Sequence, residues 1–355
     1  MLSLAQFALN FKYAFRPRKP LLTARLVQGV LRSILFPEPR LRYVDFALDF
    51  ACNLKCEHCF AVALKDSKRR TMTVEDYARV AAEAMDLGAM NFSFQGGEPL
   101  LYKDLGRIIK ACRPDRNVIS VATNGTLLTA ERIGQLKSCG VDILTVSLDS
   151  GDAREHDAFR GVSGTFESAM SGIAGAIKAG MRVTLGTVVT KSSLRSKGFA
   201  ALLDISRKLD VILMLILPAP AGRWQNNRDI LLGEDDLALI DRLTGSSPRI
   251  RTDFQANLKQ EGCGAVKELL YITPYGDVLA CPFMHISFGN VLDGPLADIR
   301  RRALQFSFFR EYHPLCLVST DSDFIEKYLS RTFGAEQLPI LWDRVFSIEA
   351  HKNEG

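Results

Sequence analysis

Three cysteines in one short run are the residues of this chain best suited to chemistry. Cys52, Cys56 and Cys59 have the spacing C-x3-C-x2-C, so a single loop can bring three thiolates to one metal centre. Iron–sulfur clusters are held by cysteine thiolates in short runs of this kind. Three protein ligands leave one iron of a [4Fe–4S] cluster open, and an open position is typical of a catalytic metal site. The spacing therefore predicts a catalytic iron–sulfur centre.

Two other interpretations of the same cysteines remain. They could be buried structural thiols, or they could be part of a zinc site in which the neighbouring His58 is the fourth ligand. The position of the run favours the iron–sulfur centre. It follows the first predicted strand, at the edge of the sheet where α/β proteins build their active sites.

The elements that must position this loop form a regular pattern from residue 43 onward. We predict strands at 43–50, 91–95, 117–122, 143–148, 183–189 and 211–217, and helices at 73–87, 103–112, 130–139, 165–179 and 198–209. Repeated strand–helix units imply a parallel sheet with right-handed crossovers. The predicted fold class is α/β, a partial (β/α)6 TIM-type barrel, because six strands leave an eight-stranded barrel incomplete.

The strand–helix repeat stops near Ser246, and a region with three further cysteines follows it. We predict three parts: a basic amphipathic helical extension over 1–42, a barrel core over 43–225, and a small C-terminal region over 226–355. No internal repeat or low-complexity tract interrupts this order.

The charge of the chain is modest and unevenly distributed. The net charge is +5, and the basic residues of the first segment outweigh its single acid, Glu38. These basic residues are Lys12, Arg16, Arg18, Lys19, Arg25, Arg32, Arg40 and Arg42. Because the rest of the chain is slightly acidic, we expect no nucleic-acid partner.

The cysteines also bear on localisation. The chain has eight of them, with no signal-peptide pattern and no apolar run long enough to span a bilayer. Without export, the cysteines should stay thiols, which suits metal ligands better than disulfides. We therefore expect a cytoplasmic protein.

Polar loops follow the second, third and fourth predicted strands. Gly96, Gly97, Glu98 and Pro99 come after the second strand. Glycines there would let another group approach the backbone closely, and Glu98 would add negative charge to the loop. The remaining polar residues at these strand ends are Asn124 within Thr123–Thr126, and Ser147 and Asp149 within Ser147–Ser150. Taken singly, these loops could equally be ordinary turns or helix caps.

Taken together and in order, these motifs resemble the radical S-adenosylmethionine (SAM) superfamily over about residues 43–223. The cysteine run matches that family's cluster signature, except that His58 stands where an aromatic residue is usual. The resemblance implies that Gly96–Pro99 meets the amino group of the SAM methionine. It implies that Ser147 or Asp149 lies near the SAM ribose or carboxylate, with Asn124 in the same set of loops.

The resemblance also implies a mechanism. In this family the open iron binds the amino and carboxylate groups of SAM, and an electron from the reduced cluster cleaves SAM to methionine and a 5′-deoxyadenosyl radical. The radical abstracts a hydrogen atom from a substrate in the barrel mouth. The cofactor carries the difficult chemistry, and the protein positions it and excludes water.

The C-terminal cysteines resemble those of the SPASM and shorter twitch regions, which hold auxiliary [4Fe–4S] clusters. Cys263, Cys281 and Cys316 would hold one such cluster, with His313 as a candidate fourth ligand or with an open iron for substrate. The stretches His156–Gly161 and Gly164–Phe166 also resemble a stretch that is seen in family members with auxiliary clusters. The alternative is that the three cysteines are unconnected core thiols.

Two amphipathic stretches precede the barrel. Apolar residues recur at helical spacing in both of them: Leu4, Phe7, Ala8, Phe11 and Phe15, then Leu26, Val27, Val30, Leu31, Ile34 and Leu35. Such a basic helix can pack on the barrel or lie on a membrane surface. We favour packing, and membrane contact through residues 1–42 stays the alternative.

The expected function is that of an enzyme of the oxidoreductase or epimerase type. A reductase, flavodoxin or ferredoxin would supply the electron, and the substrate would be a peptide, a sugar or aminocyclitol, or a lipid. Only 42 residues precede the first strand, which is short for a separate peptide-binding domain. An iron–sulfur electron carrier or redox sensor is the competing interpretation, but it would not need the SAM loops.

Overall fold

The strands of this protein form a single sheet in which the cysteine-bearing loop follows a central strand. The computed structural model describes residue 9 and residues 19–35, 40–253 and 262–346. Eleven strands lie in the order β11-β10-β9-β8-β1-β2-β3-β4-β5-β6-β7. They are β1 Tyr43–Ala47, β2 Asn91–Gln95, β3 Val118–Thr123, β4 Ile143–Ser147, β5 Arg182–Val188, β6 Ile212–Ile216, β7 Ile250–Thr252, β8 Leu269–Ile272, β9 Asp277–Leu279, β10 Ile286–Asn290 and β11 Ile340–Leu341.

The strands β1 to β7 pair in parallel with their sequence neighbours, from the Tyr43–Asn91 pair to the Leu215–Thr252 pair. Strand β8 joins the other side of β1, also in parallel, with Asp45 opposite Tyr271. The predicted parallel α/β fold is confirmed, and β7 and β8 add two parallel strands to the six predicted. No pairing within the described residues joins β7 back to the β8 side, so the sheet stays open.

Helices alternate with these strands along the described chain, and several of them pack against the sheet. The helices are α1 Pro20–Leu35, α2 Val74–Asp86, α3 Leu105–Ala111, α4 Ala130–Cys139, α5 Ala153–Arg160, α6 Thr165–Lys178, α7 Lys197–Lys208, α8 Glu234–Ser246, α9 Leu296–Ala303, α10 Ser307–Arg310 and α11 Ser322–Lys327. Polar caps begin several of them: Thr73 forms a capping box with Asp76, and Thr129 and Ser196 each accept a backbone hydrogen bond.

The two faces of the sheet differ in chemistry. On β1 and β2, Phe46, Phe92 and Phe94 are buried. Phe46 stacks on both Phe92 and Phe94, and it meets Tyr77 of α2 edge to face. The alternate residues of β1–β4 point to the opposite, inner face and are half-buried. They include Asp45, Asn91, Ser93, Gln95, Ser120, Thr145 and Ser147. The inner face is therefore polar and accessible.

Helix α1 lies against the segments that lead into β2, β3 and β4. Lys19 donates to the carbonyl of Gly140 at 3.0 Å and pairs with Asp142 at 2.5 Å. Arg25 donates to the carbonyls of Ala89 and Arg116, both at 3.1 Å. This arrangement agrees with the predicted packing of the second amphipathic stretch.

The first amphipathic stretch, from Leu4 to Phe15, falls outside the described residues apart from Leu9. Among the helices that the structure describes, none is long and apolar enough to cross a membrane.

Candidate functional site

The loop with Cys52, Cys56 and Cys59 is fastened to the end of helix α5. The backbone N–H groups of Lys55 and Glu57 donate to the carbonyls of Arg160 and Phe159 at 3.1 and 2.9 Å. Cys52 is exposed, Cys56 is buried and Cys59 is half-buried. The segment His156–Gly161, which the sequence singled out, therefore holds the cysteine loop.

Arg160 connects this loop to the end of strand β4. Its Nε donates to Asp149 Oδ2 at 2.6 Å, and one of its terminal nitrogens lies 3.6 Å from Cys56 Sγ. Burial alone would raise the pKa of Asp149, but the charge of Arg160 and its hydrogen bond to the carboxylate outweigh this effect, so the pKa lies below its ordinary value. Asp149 therefore stays a carboxylate and positions Arg160. Sequence reasoning missed this link.

The loop after β3 contacts the cysteine loop through side-chain amides. Asn124 Nδ2 lies 4.0 Å from Cys52 Sγ and donates to Asn53 Oδ1 at 2.8 Å. Asn53 in turn donates to Thr126 Oγ1 at 2.8 Å. The predicted residue Asn124 thus lies beside the first thiol, and Asn53 is an additional contact.

Glu98 is buried and fastens the loop after β2 to the loop after β3. Its carboxylate accepts from Thr123 Oγ1 at 2.7 Å, from the N–H of Asn124 at 2.8 Å and from the N–H of Leu100 at 3.0 Å. Burial raises its pKa, and these donors oppose the rise. The resemblance predicts that Glu98 lies near SAM, and in the structure its carboxylate accepts these three hydrogen bonds from the protein. Pro99, which begins the next turn, is also buried.

Gly96 and Gly97 have no room for a side chain. A Cβ on Gly96 would lie 2.2 Å from the carbonyl oxygen of Asp49, and one on Gly97 would lie 2.0 Å from that of Ala51. Both glycines are therefore required by the close packing of this loop on the segment that leads to Cys52. That packing is a second reason for glycine beside the predicted approach to an ammonium group.

The ring of His58 packs against aromatic residues. It stacks on Phe159 with centroids 4.7 Å apart, and Trp224 lies 5.8 Å away. Burial lowers the pKa of His58 to about 3, so the imidazole is neutral. Its Nδ1 is also buried and has no hydrogen-bond partner among the described residues. His58 therefore packs as an aromatic residue would, and the radical SAM resemblance expects an aromatic residue at this position.

The described part of the chain contains no group of three or more His, Cys, Asp or Glu side chains close enough to hold a single metal ion. A four-iron cluster makes a different demand, because each thiolate binds its own iron. Burial raises the pKa of both Cys52 and Cys56, and the charge of Arg160 opposes the rise at Cys56. Cys52, Cys56 and Cys59 are soft thiols, and nitrogen donors are directed at two of them. This set fits an iron–sulfur cluster, because metal binding deprotonates such thiols.

The C-terminal cysteines come from three separate segments. The N–H of Cys263 donates to the carbonyl of His313 at 2.7 Å, Cys281 follows β9, and the carbonyl of Cys316 accepts three backbone hydrogen bonds from 319–321. Burial raises the pKa of all three, that of Cys281 to about 12. Each of these thiols is close enough to another to influence its pKa, so the structure brings together the three cysteines predicted as one ligand set.

Two side chains near these thiols, His313 and Asp253, bear on the question of a fourth ligand for the auxiliary cluster. The ring nitrogens of His313 face Leu315, at 3.2 Å, and Asp321, at 3.3 Å. Asp253, which sequence reasoning missed, affects the pKa values of Cys263, Cys281 and Cys316. It lies at the end of β7, far from the cysteines in sequence, and no local motif marks it.

Two family models match this chain. Residues 50–193 match the radical SAM superfamily, and residues 263–318 match an iron–sulfur cluster-binding domain, SPASM. The first range contains Cys52, Cys56 and Cys59, and the second contains Cys263, Cys281 and Cys316. The chain belongs to the radical SAM superfamily and carries a C-terminal SPASM domain. It is an enzyme whose cofactors are SAM and [4Fe–4S] clusters.

Similar proteins act on different substrates, as their names indicate. An AdoMet-dependent heme synthase of Nitratidesulfovibrio vulgaris is 26% identical over 80% of this chain and 89% of that protein. The mycofactocin maturase MftC of Mycolicibacterium smegmatis is 28% identical over 76% of this chain and 72% of that protein. A probable GTP 3′,8-cyclase of Methanocella arvoryzae is 34% identical over 50% and 57%.

Known structures share the fold. Streptococcus suis SuiB, bound to its precursor peptide SuiA, superposes with a TM-score of 0.62 at 18% identity, covering 77% of this chain and 67% of SuiB. Native anSMEcpe with bound AdoMet gives a TM-score of 0.56 at 17% identity, covering 78% and 83%.

Proposed function

We propose that Cys52, Cys56 and Cys59 hold the catalytic [4Fe–4S] cluster of this radical SAM enzyme. The observation that carries this assignment is the contact of Arg160 with Cys56 Sγ, since it directs a fixed positive charge at a thiol in the loop after β1. When bound, the cluster supplies the electron that cleaves SAM. Arg160 orients the buried thiol and stabilises its thiolate form.

The loops after β2, β3 and β4 are proposed to surround SAM. The residues concerned are Gly96, Gly97, Glu98, Pro99, Asn124, Ser147 and Asp149. The hydrogen bonds in this region support different roles within the set. Glu98 and Asp149 act by holding loops and Arg160 in place, whereas the half-buried Ser147 is accessible to the cofactor and the buried Asn124 lies beside Cys52.

We further propose that Cys263, Cys281 and Cys316 hold one auxiliary cluster. Support comes from their mutual electrostatic influence and from their shared burial. The division into an extension over 1–42, a core over 43–225 and a C-terminal region over 226–355 is part of this proposal.

The substrate is proposed to be a peptide or a polar small molecule. The inner face of the sheet supports this choice, because Asp45, Ser93, Gln95 and Thr145 offer hydrogen-bonding groups to a bound molecule. Such a lining disfavours a lipid chain. The names of the similar proteins supply a test panel of a precursor peptide and GTP.

The proposed partners and location follow from the same chemistry. A reductase, flavodoxin or ferredoxin delivers the electron, and no nucleic acid takes part. The eight cysteines favour the reducing cytoplasm. As an alternative to packing alone, we propose that residues 1–42 contact a membrane surface. Flotation of the chain with liposomes, with and without these residues, measures this contact.

The test is formation of 5′-deoxyadenosine by the anaerobically reconstituted protein with SAM and dithionite, quantified by mass spectrometry. We expect product from the wild type and none from Cys56→Ala. Cys139→Ala is the matched control, because this thiol lies on α4, away from the cysteine loop, and should keep activity. A chain that holds a [4Fe–4S] cluster and does not bind SAM in a titration would instead be an electron carrier or redox sensor.

A further inference from the structure

Lys267 is a fully buried cation in the turn that follows Cys263. Its ammonium donates to the carbonyl oxygen of Phe309 at 3.0 Å and lies 5.2 Å from the ring centroid of Tyr312. Both partners are neutral. Among the described residues, no carboxylate lies within ion-pairing distance of its Nζ. A buried ammonium is costly unless negative charge compensates it.

The segments 263–267 and 309–313 contact each other both at Lys267 and at Cys263, a proposed cluster ligand. The N–H of Cys263 donates to the carbonyl of His313, and Tyr312 directly precedes that residue. The turn is tight, since the N–H of Lys267 donates to the carbonyl of Ala265 at 2.7 Å. Burial lowers the pKa of Lys267 to about 8, and the thiol of Cys263 and the carboxylate of Glu268 oppose this effect by favouring the ammonium form.

We propose that Lys267 is the counter-charge of the auxiliary cluster held by Cys263, Cys281 and Cys316, and that it raises the reduction potential of that cluster. The inference rests on the auxiliary cluster of the proposed function. A cluster bound by thiolates becomes more negative when it gains an electron. A fixed positive charge in a poorly polarisable interior therefore stabilises the reduced form more than the oxidised form. Lys267 is a positioning residue for charge and contacts no substrate.

A redox titration of the full chain followed by electron paramagnetic resonance tests this role. The background is Cys52→Ala, Cys56→Ala and Cys59→Ala, so that only the auxiliary cluster contributes to the signal. For Lys267→Met we expect at least a tenfold lower ratio of reduced to oxidised cluster at a fixed potential, equivalent to a midpoint ~59 mV more negative. Lys267→Gln should give the same shift, because it retains a donor for Phe309 and lacks the charge.

Arg300→Lys is the matched control, because it keeps the positive charge and loses the paired hydrogen bonds of the guanidinium. Arg300 donates to the carbonyls of Val266 and Lys267, so the substitution loosens the same turn and leaves the ammonium in place. We expect a lower unfolding midpoint and an unchanged cluster potential. Lys267→Arg should retain most of the wild-type potential.

Iron and sulfide analysis separates the two possible failures. If the background chain holds no cluster, both the ligand assignment and the role of Lys267 are wrong. If the cluster is present and Lys267→Met and Lys267→Gln keep the wild-type midpoint, the counter-charge role is overturned. In that case Lys267 only anchors the carbonyl of Phe309, and the auxiliary cluster stands.

Discussion

Arg160 shows how a single side chain can join two parts of an active site. Its partners Asp149 and Cys56 lie 11 and 104 positions away in the sequence. The pair with Asp149 is buried, with side-chain exposures of 8% and 5%. A buried carboxylate of this kind depends on its cation, because little water can replace it.

We predict that Arg160→Met destabilises the chain by about 3–5 kcal/mol, because it leaves the carboxylate of Asp149 buried without its cation. Adding Asp149→Asn should recover much of this loss, since no buried charge then remains. Urea unfolding of the cluster-free protein measures both variants.

Additive losses in the double variant would contradict this explanation. They would mean that Arg160 and Asp149 contribute to stability separately. Arg113→Met is a suitable control, because its pairing with Asp115 is exposed and should contribute little to stability.

The sequence predicts the site at residue scale where the signal is local. The spacing of Cys52, Cys56 and Cys59 lies within eight positions and identifies the metal loop. The contacts that position this loop are not local, and no pattern in the sequence reports them. Glu98 is an example: its charge predicts a ligand contact, and no local pattern predicts that Thr123 and Asn124 of the neighbouring loop donate to it.

At the scale of elements, the loops after the strands hold one another by close backbone contact. Gly222 begins a short turn after β6 and has a φ of +61°. A Cβ there would lie 2.1 Å from the carbonyl oxygen of Cys59 and 2.4 Å from the Cα of Phe60. The N–H of Arg223 donates to the same carbonyl at 3.0 Å. The turn after β6 thus fixes the end of the cysteine loop.

We predict that Gly222→Ala displaces this loop and lowers the iron retained per chain after reconstitution by at least half. Gly180→Ala is the matched control: its φ is +74°, but a Cβ there would have no neighbour within 4 Å. It should cost about 1–2 kcal/mol of stability from backbone strain and leave iron binding unchanged. Equal iron loss in both variants would mean that strain, not contact with Cys59, is responsible.

Elements of the strand–helix repeat were more predictable than those that follow it. The predicted bounds of α4 and β2 agree with those observed, because caps and clear periodicity define them. The prediction missed the described elements after residue 217, including the 13-residue helix α8 and the strands β7 to β11, which have two to five residues each. Strands of this length acquire their structure from pairing with a neighbour, which local sequence does not encode.

At the scale of the whole molecule, the SPASM segment extends the barrel sheet. Strand β8 pairs with β1 in register from Tyr43–Leu269 to Phe46–Ile272. Arg69, which follows the cysteine loop, forms two hydrogen bonds with Asp277, at 2.6 and 2.8 Å. The barrel and the C-terminal strands therefore share hydrogen bonds as well as side-chain contacts.

We predict that the two parts unfold together. The chain has two tryptophans: Trp224 in the turn after β6 and Trp342 in the turn after β11. Single-tryptophan variants, Trp224→Phe and Trp342→Phe, should give superimposable urea transitions by fluorescence, because one continuous sheet unfolds as a unit. Separate midpoints for the two tryptophans would show that the C-terminal region is an independent folding unit.

The position of β1 has a consequence for how the protein is made. Its partner β8 lies 226 residues further along the chain. At a translation rate of about 5–20 residues per second, the ribosome needs roughly 10–45 s to synthesise that stretch. The neighbours that fix the cysteine loop, including Arg160 and the turn at Gly222, are synthesised only during this interval. The first cluster site is therefore completed late in synthesis, and iron delivered earlier would meet three unorganised thiols.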